Sequence, residues 1–292
     1  MATTTPRVWL VTGSSSGLGL AMCKHALSQG DKVVATLRTP SDIDDLKNQY
    51  TPDVLLVAKL DVTQTDDILA AFRTAKKRFG RVDVVFNNAG VALVGEVEGV
   101  PEHAARAQMD VKFWGITAVS KEAVRFFRDE NPTRGGLLLN ISSELGIRTM
   151  PLLGHYAAAK HAMEGLTQTL RSELDPAWNI KVCLVAPGAF STNAGTKPEI
   201  VPIPDVYRGV TASKDVREFT AVVQESQGPA NELDAVAKKI FEFSMSSDIP
   251  MRLFLGDESI QRVRKQIADM VEDLNASKAW SEGLIEDECI VL

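Results

Sequence analysis

The sequence predicts an α/β protein in which helices cover both faces of one doubly wound parallel sheet. Apolar strand patterns alternate with helical patterns as far as residue 190, and such alternation is typical of a parallel sheet. A chain of 292 residues with 45% hydrophobic content can bury one large core, so residues 1–292 are expected to form a single three-layer α/β/α domain. Strands are predicted near 8–12, 32–36, 54–58, 82–86, 136–141 and 181–186, and helices near 17–29, 65–79, 102–130 and 155–174.

The first predicted strand leads into a glycine-rich turn. The apolar run Val8-Trp9-Leu10-Val11 is followed by Thr12-Gly13-Ser14-Ser15-Ser16-Gly17-Leu18-Gly19 and then by a helical pattern. Backbone N–H groups at a helix N-terminus attract phosphate, and glycine lets the backbone approach it closely. A tight turn without a ligand is the alternative, but the position between a strand and a helix favours a Rossmann-like dinucleotide site.

The end of the second predicted strand indicates which dinucleotide is bound. An acidic residue there would accept a hydrogen bond from the adenosine ribose, whereas an arginine suits a 2′-phosphate. The strand ends in Leu37-Arg38 without a carboxylate, and the Arg38 guanidinium offers a forked cation. The sequence therefore favours NADP(H) over NAD(H). The alternative is that Arg38 is a solvated charge at the end of a strand.

A serine, a tyrosine and a lysine suggest acid–base chemistry. Tyr156 and Lys160 are four residues apart in a predicted helix, so they share a face, and Ser143 lies thirteen residues before Tyr156. A free tyrosine titrates near pH ~10, and a nearby ammonium lowers that pKa towards neutrality. Alone, the pair is also compatible with a half-buried tyrosine beside a surface lysine. The dinucleotide motif favours the catalytic interpretation.

Taken together, these motifs resemble the short-chain dehydrogenase/reductase family. The resemblance runs from about residue 6 to residue 192, with the motifs in family order. Within the family, Val33-Val34-Ala35-Thr36-Leu37-Arg38 and the region of Leu255-Gly256 resemble the 17β-hydroxysteroid-dehydrogenase-like branch. The matching motifs are Thr12 to Gly19, Leu60-Asp61-Val62-Thr63, Asn87-Asn88-Ala89-Gly90, Ser143, Tyr156-x-x-x-Lys160 and Pro187-Gly188.

The resemblance implies a mechanism and a set of cofactor contacts. Hydride would move between the nicotinamide of NADP(H) and a carbonyl carbon, while Tyr156 exchanges a proton with the oxygen. Ser143 would polarise the carbonyl, and Lys160 would also hold the nicotinamide ribose. The implied cofactor-binding residues are Gly13, Ser15, Ser16, Gly17, Leu18, Gly19, Arg38, Asp61, Val62, Asn88, Ala89, Gly90, Tyr156, Lys160, Pro187, Gly188, Phe190 and Thr192.

One position departs from the family pattern. The family usually has an asparagine on the helix before the serine strand, and Lys112 stands at that position in Asp110-Val111-Lys112-Phe113. A second ammonium would lower the pKa of Tyr156 further if it pointed into the site. The sequence leaves open whether Lys112 points there or elsewhere.

Beyond the predicted sheet, residues 193–229 are expected to form a lid over the substrate. A helix over 231–246, a strand at 252–256 and a helix from 257 to about 276 should follow, within a C-terminal extension of about 257–292. The substrate pocket is predicted to be apolar, which suits a small hydrophobic ketone, aldehyde or alcohol. Glu144 is either a solvated neighbour of Ser143 or a polar contact with substrate. The predicted lining is Leu93, Val94, Glu144, Leu145, Leu152, Leu153 and Phe190.

Composition gives no support for several other classes of protein. The net charge of −6 gives no indication of a nucleic-acid partner, and the His and Asp spacing predicts no metal site. No apolar run reaches the ~18 residues of a membrane span. Three cysteines form no disulfide framework, so we expect a reduced, cytoplasmic protein. The resemblance also implies that subunits pair through the helices near 102–130 and 155–174, although the sequence fixes no homo-oligomer.

The last four residues, Cys289-Ile290-Val291-Leu292, match a prenylation signal, but the preceding residues are acidic and would be repelled by anionic lipid. Membrane attachment is therefore not expected. The leading hypothesis is an NADP(H)-dependent oxidoreductase of the carbonyl reductase or alcohol dehydrogenase type. The alternative is a catalytically impaired NADP-binding sensor or regulatory protein of the same fold, which Lys112 alone would favour.

Overall fold

The architecture is a parallel sheet between two layers of helices. A computed structural model describes residues 5–90, 92–188, 199–225 and 232–282. Seven of its strands form one sheet in the order β3-β2-β1-β4-β6-β7-β9, and every adjacent pair is parallel. The strands are β1 (Val8–Thr12), β2 (Lys32–Leu37), β3 (Leu55–Lys59), β4 (Val84–Asn87), β5 (Leu93–Val94), β6 (Gly136–Ile141), β7 (Ile180–Pro187), β8 (Glu199–Ile200) and β9 (Arg252–Leu255). The predicted doubly wound α/β/α fold is confirmed.

The helices pack on both faces because strand side chains alternate in direction. Trp9 and Val11 of β1 lie in one core cluster, and Val8 and Leu10 lie in the other. Helices α1 and α8 pack on the first cluster, and α3 and α5 on the second. The helices are α1 (Gly17–Ser28), α2 (Asp44–Lys47), α3 (Thr65–Phe79), α4 (Glu102–Met109), α5 (Ile116–Asp129), α6 (Gly154–Glu173), α7 (Thr211–Glu225), α8 (Glu232–Phe243) and α9 (Asp257–Ser281).

The order of the strands locates the binding crevice. Connections from β1 run outward to β2 and β3, and those from β4 run the other way to β6, β7 and β9. Ligands of open parallel sheets bind outside the carboxyl ends of the strands, at the point where the winding reverses. That point lies between β1 and β4, which carry the glycine-rich turn and the Asn-Asn-Ala-Gly motif at their ends.

Three features differ from the sequence-based expectation. The predicted helix over 102–130 is interrupted by a π-helical segment, Asp110–Gly115, between α4 and α5. The terminal helix continues to Ser281 rather than ending near residue 276. The short strands β5 and β8 pair with each other, which local patterns could not predict because about one hundred residues separate them. No helix in the described part of the chain is long and apolar enough to cross a membrane.

Candidate active site

A cavity of about 1050 Å³ opens at the carboxyl edge of the sheet. It is lined by sixteen of the residues that the sequence assigned to the site: Gly13, Ser15, Ser16, Gly17, Leu18, Arg38, Asp61, Val62, Asn88, Ala89, Gly90, Ser143, Tyr156, Lys160, Pro187 and Gly188. Gly19 does not line the cavity. Phe190 and Thr192 lie outside the described residues, as does the Cys289 to Leu292 segment.

The conformation of the glycine-rich turn depends on the absence of Cβ atoms at its glycines. Gly13 and Gly17 adopt φ angles of +68° and +57°, which side chains disfavour. A Cβ at Gly13 would also come within 2.8 Å of the Ala89 Cα. A Cβ at Gly19 would overlap the Gly13 carbonyl oxygen, so this glycine has a packing role beneath the turn. The N-terminus of α1 therefore faces the cavity as a bare backbone cradle, which is suited to a phosphate.

Hydrogen bonds join the glycine-rich turn to the Asn-Asn-Ala-Gly motif. The Thr12 hydroxyl accepts from the backbone N–H groups of Asn88 at 2.9 Å and Ala89 at 3.1 Å. The Asn88 side-chain amide donates to the carbonyls of Thr12 at 3.1 Å and Gly13 at 3.3 Å. These bonds hold the two walls of the cavity at a fixed separation.

A buried polar network beneath the site was not predicted from the sequence. The Asn87 side-chain amide donates to Asn140 Oδ1 at 3.0 Å, and Asn140 donates to Thr167 Oγ1 at 3.1 Å. Ser120 Oγ also donates to Asn140 Oδ1, at 3.1 Å. The network ties α5 and α6 to the ends of β4 and β6. A polar residue within the apolar run Leu137-Leu138-Leu139-Asn140-Ile141 was the available signal.

Arg38 and Asp61 flank one end of the cavity. The Arg38 side chain is exposed and has no hydrogen bond or ion pair with the described residues, so its guanidinium is available to an anion. Asp61 accepts hydrogen bonds from the Thr63 backbone N–H at 2.9 Å and hydroxyl at 2.8 Å. Partial burial opposes ionisation of Asp61, but these bonds and the Arg38 charge hold its pKa below the usual value.

Tyr156, Lys160 and Ser143 converge at the other end of the cavity. Tyr156 and Lys160 project from the first turns of α6, and the Lys160 Nζ lies 5.8 Å from the Tyr156 ring centroid. Lys160 is only 3% exposed, and its ammonium donates to the Ile141 carbonyl at the end of β6. Ser143 follows the same strand, and its hydroxyl accepts from the Leu145 N–H at 3.2 Å. Lys160 is therefore not the surface lysine of the alternative interpretation.

The electrostatics of Tyr156 differ from the expectation. Burial raises the pKa of the Tyr156 phenol, and the neighbouring Ser143 hydroxyl only partly opposes that shift. The pKa of Lys160 is well below its ordinary value because of burial and the nearby Lys112 charge, although the Glu164 carboxylate opposes this effect. The prediction that an ammonium brings the pKa of Tyr156 towards neutrality was wrong for this structure, because burial dominates. The phenol thus keeps its proton at neutral pH, as a proton donor must.

Most of the predicted substrate contacts do not line this cavity. Leu93 does, whereas Val94, Glu144, Leu145, Leu152 and Leu153 do not. Glu144 is buried in ion pairs with Arg148 at 2.6 Å and Arg262 at 3.4 Å, so neither proposed role for it holds. Burial works against its ionisation, but Arg148 and Arg262 keep the pKa of Glu144 below the usual value.

Residues 199–225, within the segment predicted as a lid, are anchored beside the cavity. The Val201 N–H donates to the Val94 carbonyl at 2.8 Å, which extends the β5–β8 pairing. The Arg217 guanidinium on α7 forms a forked ion pair with the buried Glu96 carboxylate and donates to the Val201 carbonyl at 3.1 Å. Burial disfavours the Glu96 charge, but Arg217 holds the pKa of Glu96 below its usual value.

Replacing Arg217 by methionine is expected to loosen residues 199–225. The Glu96 side chain is 3% exposed, and a buried group left without its partner costs about 1–3 kcal/mol. Hydrogen exchange of this segment should become faster in the variant. Arg208→Met is the matched control, because the Arg208–Asp205 pair is exposed and worth at most about 1 kcal/mol. Equal effects of the two substitutions would remove the Glu96 pair as the anchor.

Comparisons with known proteins agree with this architecture. The family model for short chain dehydrogenases matches residues 7–199. An uncharacterized oxidoreductase of Schizosaccharomyces pombe is 36% identical over 96% of this chain and 92% of its own length. The structure of a short-chain dehydrogenase from Streptomyces avermitilis superposes with a TM-score of 0.86 at 30% identity, covering 97% of this chain and 100% of that one.

Two more distant structures share the fold alone, at 21% identity. A Burkholderia cenocepacia short chain dehydrogenase in complex with NADP has a TM-score of 0.67, and covers 93% of this chain and 96% of its own. A Burkholderia phymatum short chain dehydrogenase/reductase in complex with NAD has a TM-score of 0.73, and covers 94% of this chain and 97% of its own. Structures with this fold thus include one complex with NADP and one with NAD.

A glycine-lined cavity at the switch point of a doubly wound sheet is typical of dinucleotide-binding proteins. This chain belongs to the short-chain dehydrogenase/reductase family. The narrower resemblance to 17β-hydroxysteroid-dehydrogenase-like enzymes stays a prediction.

Proposed function

We propose that the protein is an NADPH-dependent carbonyl reductase that converts a small hydrophobic ketone or aldehyde to an alcohol. The observation that carries this proposal is the convergence of Ser143, Tyr156 and Lys160 on one wall of the dinucleotide cavity. The same residues serve the reverse reaction, since a proton donor becomes a proton acceptor when the direction changes. Because burial raises the pKa of Tyr156, the phenol begins protonated, as reduction of a carbonyl requires.

The residues of the cavity fit NADP(H). The backbone cradle from Gly13 to Gly19 would hold the pyrophosphate, and Asp61 with Val62 would meet the adenine. The Arg38 guanidinium, which has no hydrogen bond or ion pair with a described residue, would bind the 2′-phosphate, and this charge supports NADP(H) over NAD(H). The Asn88–Gly90 wall and Lys160 would hold the nicotinamide ribose, and Phe190 and Thr192 remain proposed contacts. When bound, the cofactor supplies the hydride.

The protein residues position the carbonyl group and transfer one proton to its oxygen. The Ser143 hydroxyl donates to the carbonyl oxygen and so polarises the bond. Tyr156 then gives its phenolic proton to the same oxygen as negative charge develops there. The buried Lys160 holds its place through the Ile141 carbonyl and stabilises the phenolate that remains. The helix and strand that carry these groups are tied together by the Asn140–Thr167 bond, which keeps the geometry fixed.

The cavity wall beside residues 199–225 is apolar, which supports the proposal of a small apolar substrate. Leu93 and Ala104 line the cavity and belong to one apolar cluster with Val201. We propose that residues 193–229 act as the lid that closes over this wall. A cytoplasmic location is part of the proposal and is compatible with the unpaired thiols of Cys23 and Cys183.

The proposal is tested by following NADPH oxidation across a panel of aliphatic and aromatic ketones and aldehydes, with NADH in parallel. Turnover of at least one carbonyl with NADPH is expected. NADPH binding without turnover of any carbonyl would instead favour the sensor hypothesis, and more efficient use of NADH would contradict the assignment of Arg38.

A further inference from the structure

A second buried lysine faces the proposed proton donor. Lys112 is 5% exposed, and its Nζ lies 4.9 Å from the centroid of the Tyr156 ring, closer than the 5.8 Å of Lys160. It projects from the π-helical segment Asp110–Gly115, whose wide turn packs against α6. Such segments often occur at functional sites. The question left open by the sequence is answered, because Lys112 points into the cavity.

The opposite wall provides room for this amine. A Cβ on Gly90 would overlap the Lys112 Nζ, so any larger residue at position 90 would displace the ammonium. Gly90 and Tyr156 therefore lie on two sides of the Lys112 Nζ, and the cavity lies on a third side. The position of this charge is set by packing rather than by a partner carboxylate.

The two lysines have different surroundings. Lys160 donates to the Ile141 carbonyl, whereas Lys112 has no hydrogen bond or ion pair with any described residue. Burial lowers the pKa of Lys112 to about 8, which still leaves it largely charged at neutral pH. The pKa of Lys160 falls well below its usual value because of its burial and the Lys112 charge. Lys112 therefore places a second amine beside Tyr156, held by packing rather than by a hydrogen bond within the described residues.

Few other charges lie near Lys112 and Tyr156. Glu199 lines the same cavity and is exposed. Asp110, on the same segment as Lys112, is solvent-exposed. On α4, Arg106 is paired with Glu102 at 2.8 Å. On α6, the Glu164 carboxylate is engaged by Ser142 at 2.6 Å and by Arg252 at 2.8 Å. The β4 and β6 ends next to Lys112 contribute Gly90 and Ser143, which carry no charge at neutral pH.

We propose that Lys112 is a positioning residue that acts through Tyr156, its ammonium stabilising the phenolate that forms when Tyr156 gives up its proton. This inference rests on the proposed function and extends it. The Lys112 Nζ lies 4.9 Å from the centroid of the Tyr156 ring. A positive charge this near a buried phenolate lowers the free energy of the ionised form, because the surroundings screen the charge less than water does. Lys112 thereby supplies a second positive charge beside Tyr156, in addition to that of Lys160.

The pH dependence follows from the lowered pKa of Lys112. Its ammonium is present below about pH 8 and is lost as the pH rises through that value. The stabilisation of the Tyr156 phenolate by Lys112 is therefore complete well below about pH 8 and is lost above that pH. The rate ratio between wild type and Lys112→Met should be about tenfold at pH 7 and fall towards one above pH 9. Lys112→Arg, which keeps its charge, should retain the benefit across the whole range.

Nuclear magnetic resonance of ¹³C-ring-labelled tyrosine provides a readout that is independent of turnover. The chain has only 3 tyrosines, so a Tyr156→Phe spectrum identifies the Tyr156 signal. In the wild type this signal should shift with a midpoint near pH 8, and the shift should vanish in Lys112→Met and Lys112→Arg. Lys181→Met is the matched control, because Lys181 is remote from Tyr156 and bonds to the Ser247 carbonyl at 2.7 Å.

Two results would overturn the role of Lys112. One is a wild-type Tyr156 signal that does not move between pH 7 and pH 9. The other is a Lys112→Met rate equal to that of wild type at pH 7. If no carbonyl is reduced by the wild type, the proposed function fails, whereas the resonance titration still decides whether Lys112 acts on Tyr156. If Lys112→Met does not fold, the wild-type and Lys112→Arg titrations decide the question.

Discussion

Tyr156→Phe is expected to lower the rate of carbonyl reduction by about 10²- to 10⁴-fold, the usual contribution of a positioned proton donor. The variant lacks only the phenolic hydroxyl, and the ring that packs against Lys112 is retained. NADPH binding should therefore change little. The measurements are kcat with the best carbonyl from the panel and the Kd of NADPH by fluorescence. Loss of turnover without loss of binding would separate the proton donor from the cofactor contacts.

Tyr207→Phe is the control for this substitution. Tyr207 belongs to the segment 199–225 but does not line the cavity, and its exposed hydroxyl donates to Glu98 at 2.8 Å. Removal of this exposed hydrogen bond should leave kcat within about twofold of the wild-type value, since exposed hydrogen bonds contribute little to stability. A Tyr156→Phe enzyme with rates close to those of wild type would show that another group delivers the proton.

Arg38→Asp is expected to raise the KM for NADPH by about 10- to 100-fold and to change the KM for NADH far less. A hydrogen bond between charged groups contributes about 1.5–3 kcal/mol, and an aspartate would also repel the 2′-phosphate. NADH lacks that phosphate, so it does not lose this interaction. The ratio of kcat/KM for the two cofactors is the measurement, because it cancels any general damage to the site.

Lys59→Met is the matched control for Arg38. Lys59 ends the neighbouring strand β3 and does not line the cavity, and its ammonium lies 3.4 Å from the Asp67 carboxylate. Loss of this nearby positive charge should change the two cofactors' kcat/KM values in parallel. If Arg38→Asp also changed both values equally, Arg38 would not be the phosphate ligand.

Most of the fold could be predicted because its signals are local. Continuous apolar runs marked β1, β2, β4, β6 and β7, and helical periodicity marked the segments between them. The pairing of β5 with β8 could not be predicted, because two-residue strands carry no periodic signal. The π-helical segment Asp110–Gly115 was also missed, since it continues an ordinary helical pattern and differs only in its hydrogen bonds.

The candidate site was predictable as a set of residues but not as an electrostatic arrangement. The motifs placed Gly13, Asn88, Ser143 and Tyr156 at strand ends that share one edge of the sheet, and the structure brings them to one cavity. Of the predicted substrate contacts, Leu93 lines this cavity, whereas Val94, Leu145, Leu152 and Leu153 do not and stay predictions. Glu144 was mispredicted, because its ion pairs involve a residue four positions away and a helix more than one hundred residues further on.

The sequence by itself determined the fold class, the family and the residues that meet at the carboxyl edge of the sheet. These depend on turn chemistry and on the two periodicities of helix and strand, which neighbouring residues encode. Only the tertiary structure decided that the pKa of Tyr156 is raised and that the Lys112 Nζ lies closer to the centroid of the Tyr156 ring than the Lys160 Nζ does. A pKa depends on burial and on charges within a few ångströms, and those surroundings are assembled from segments far apart in the chain.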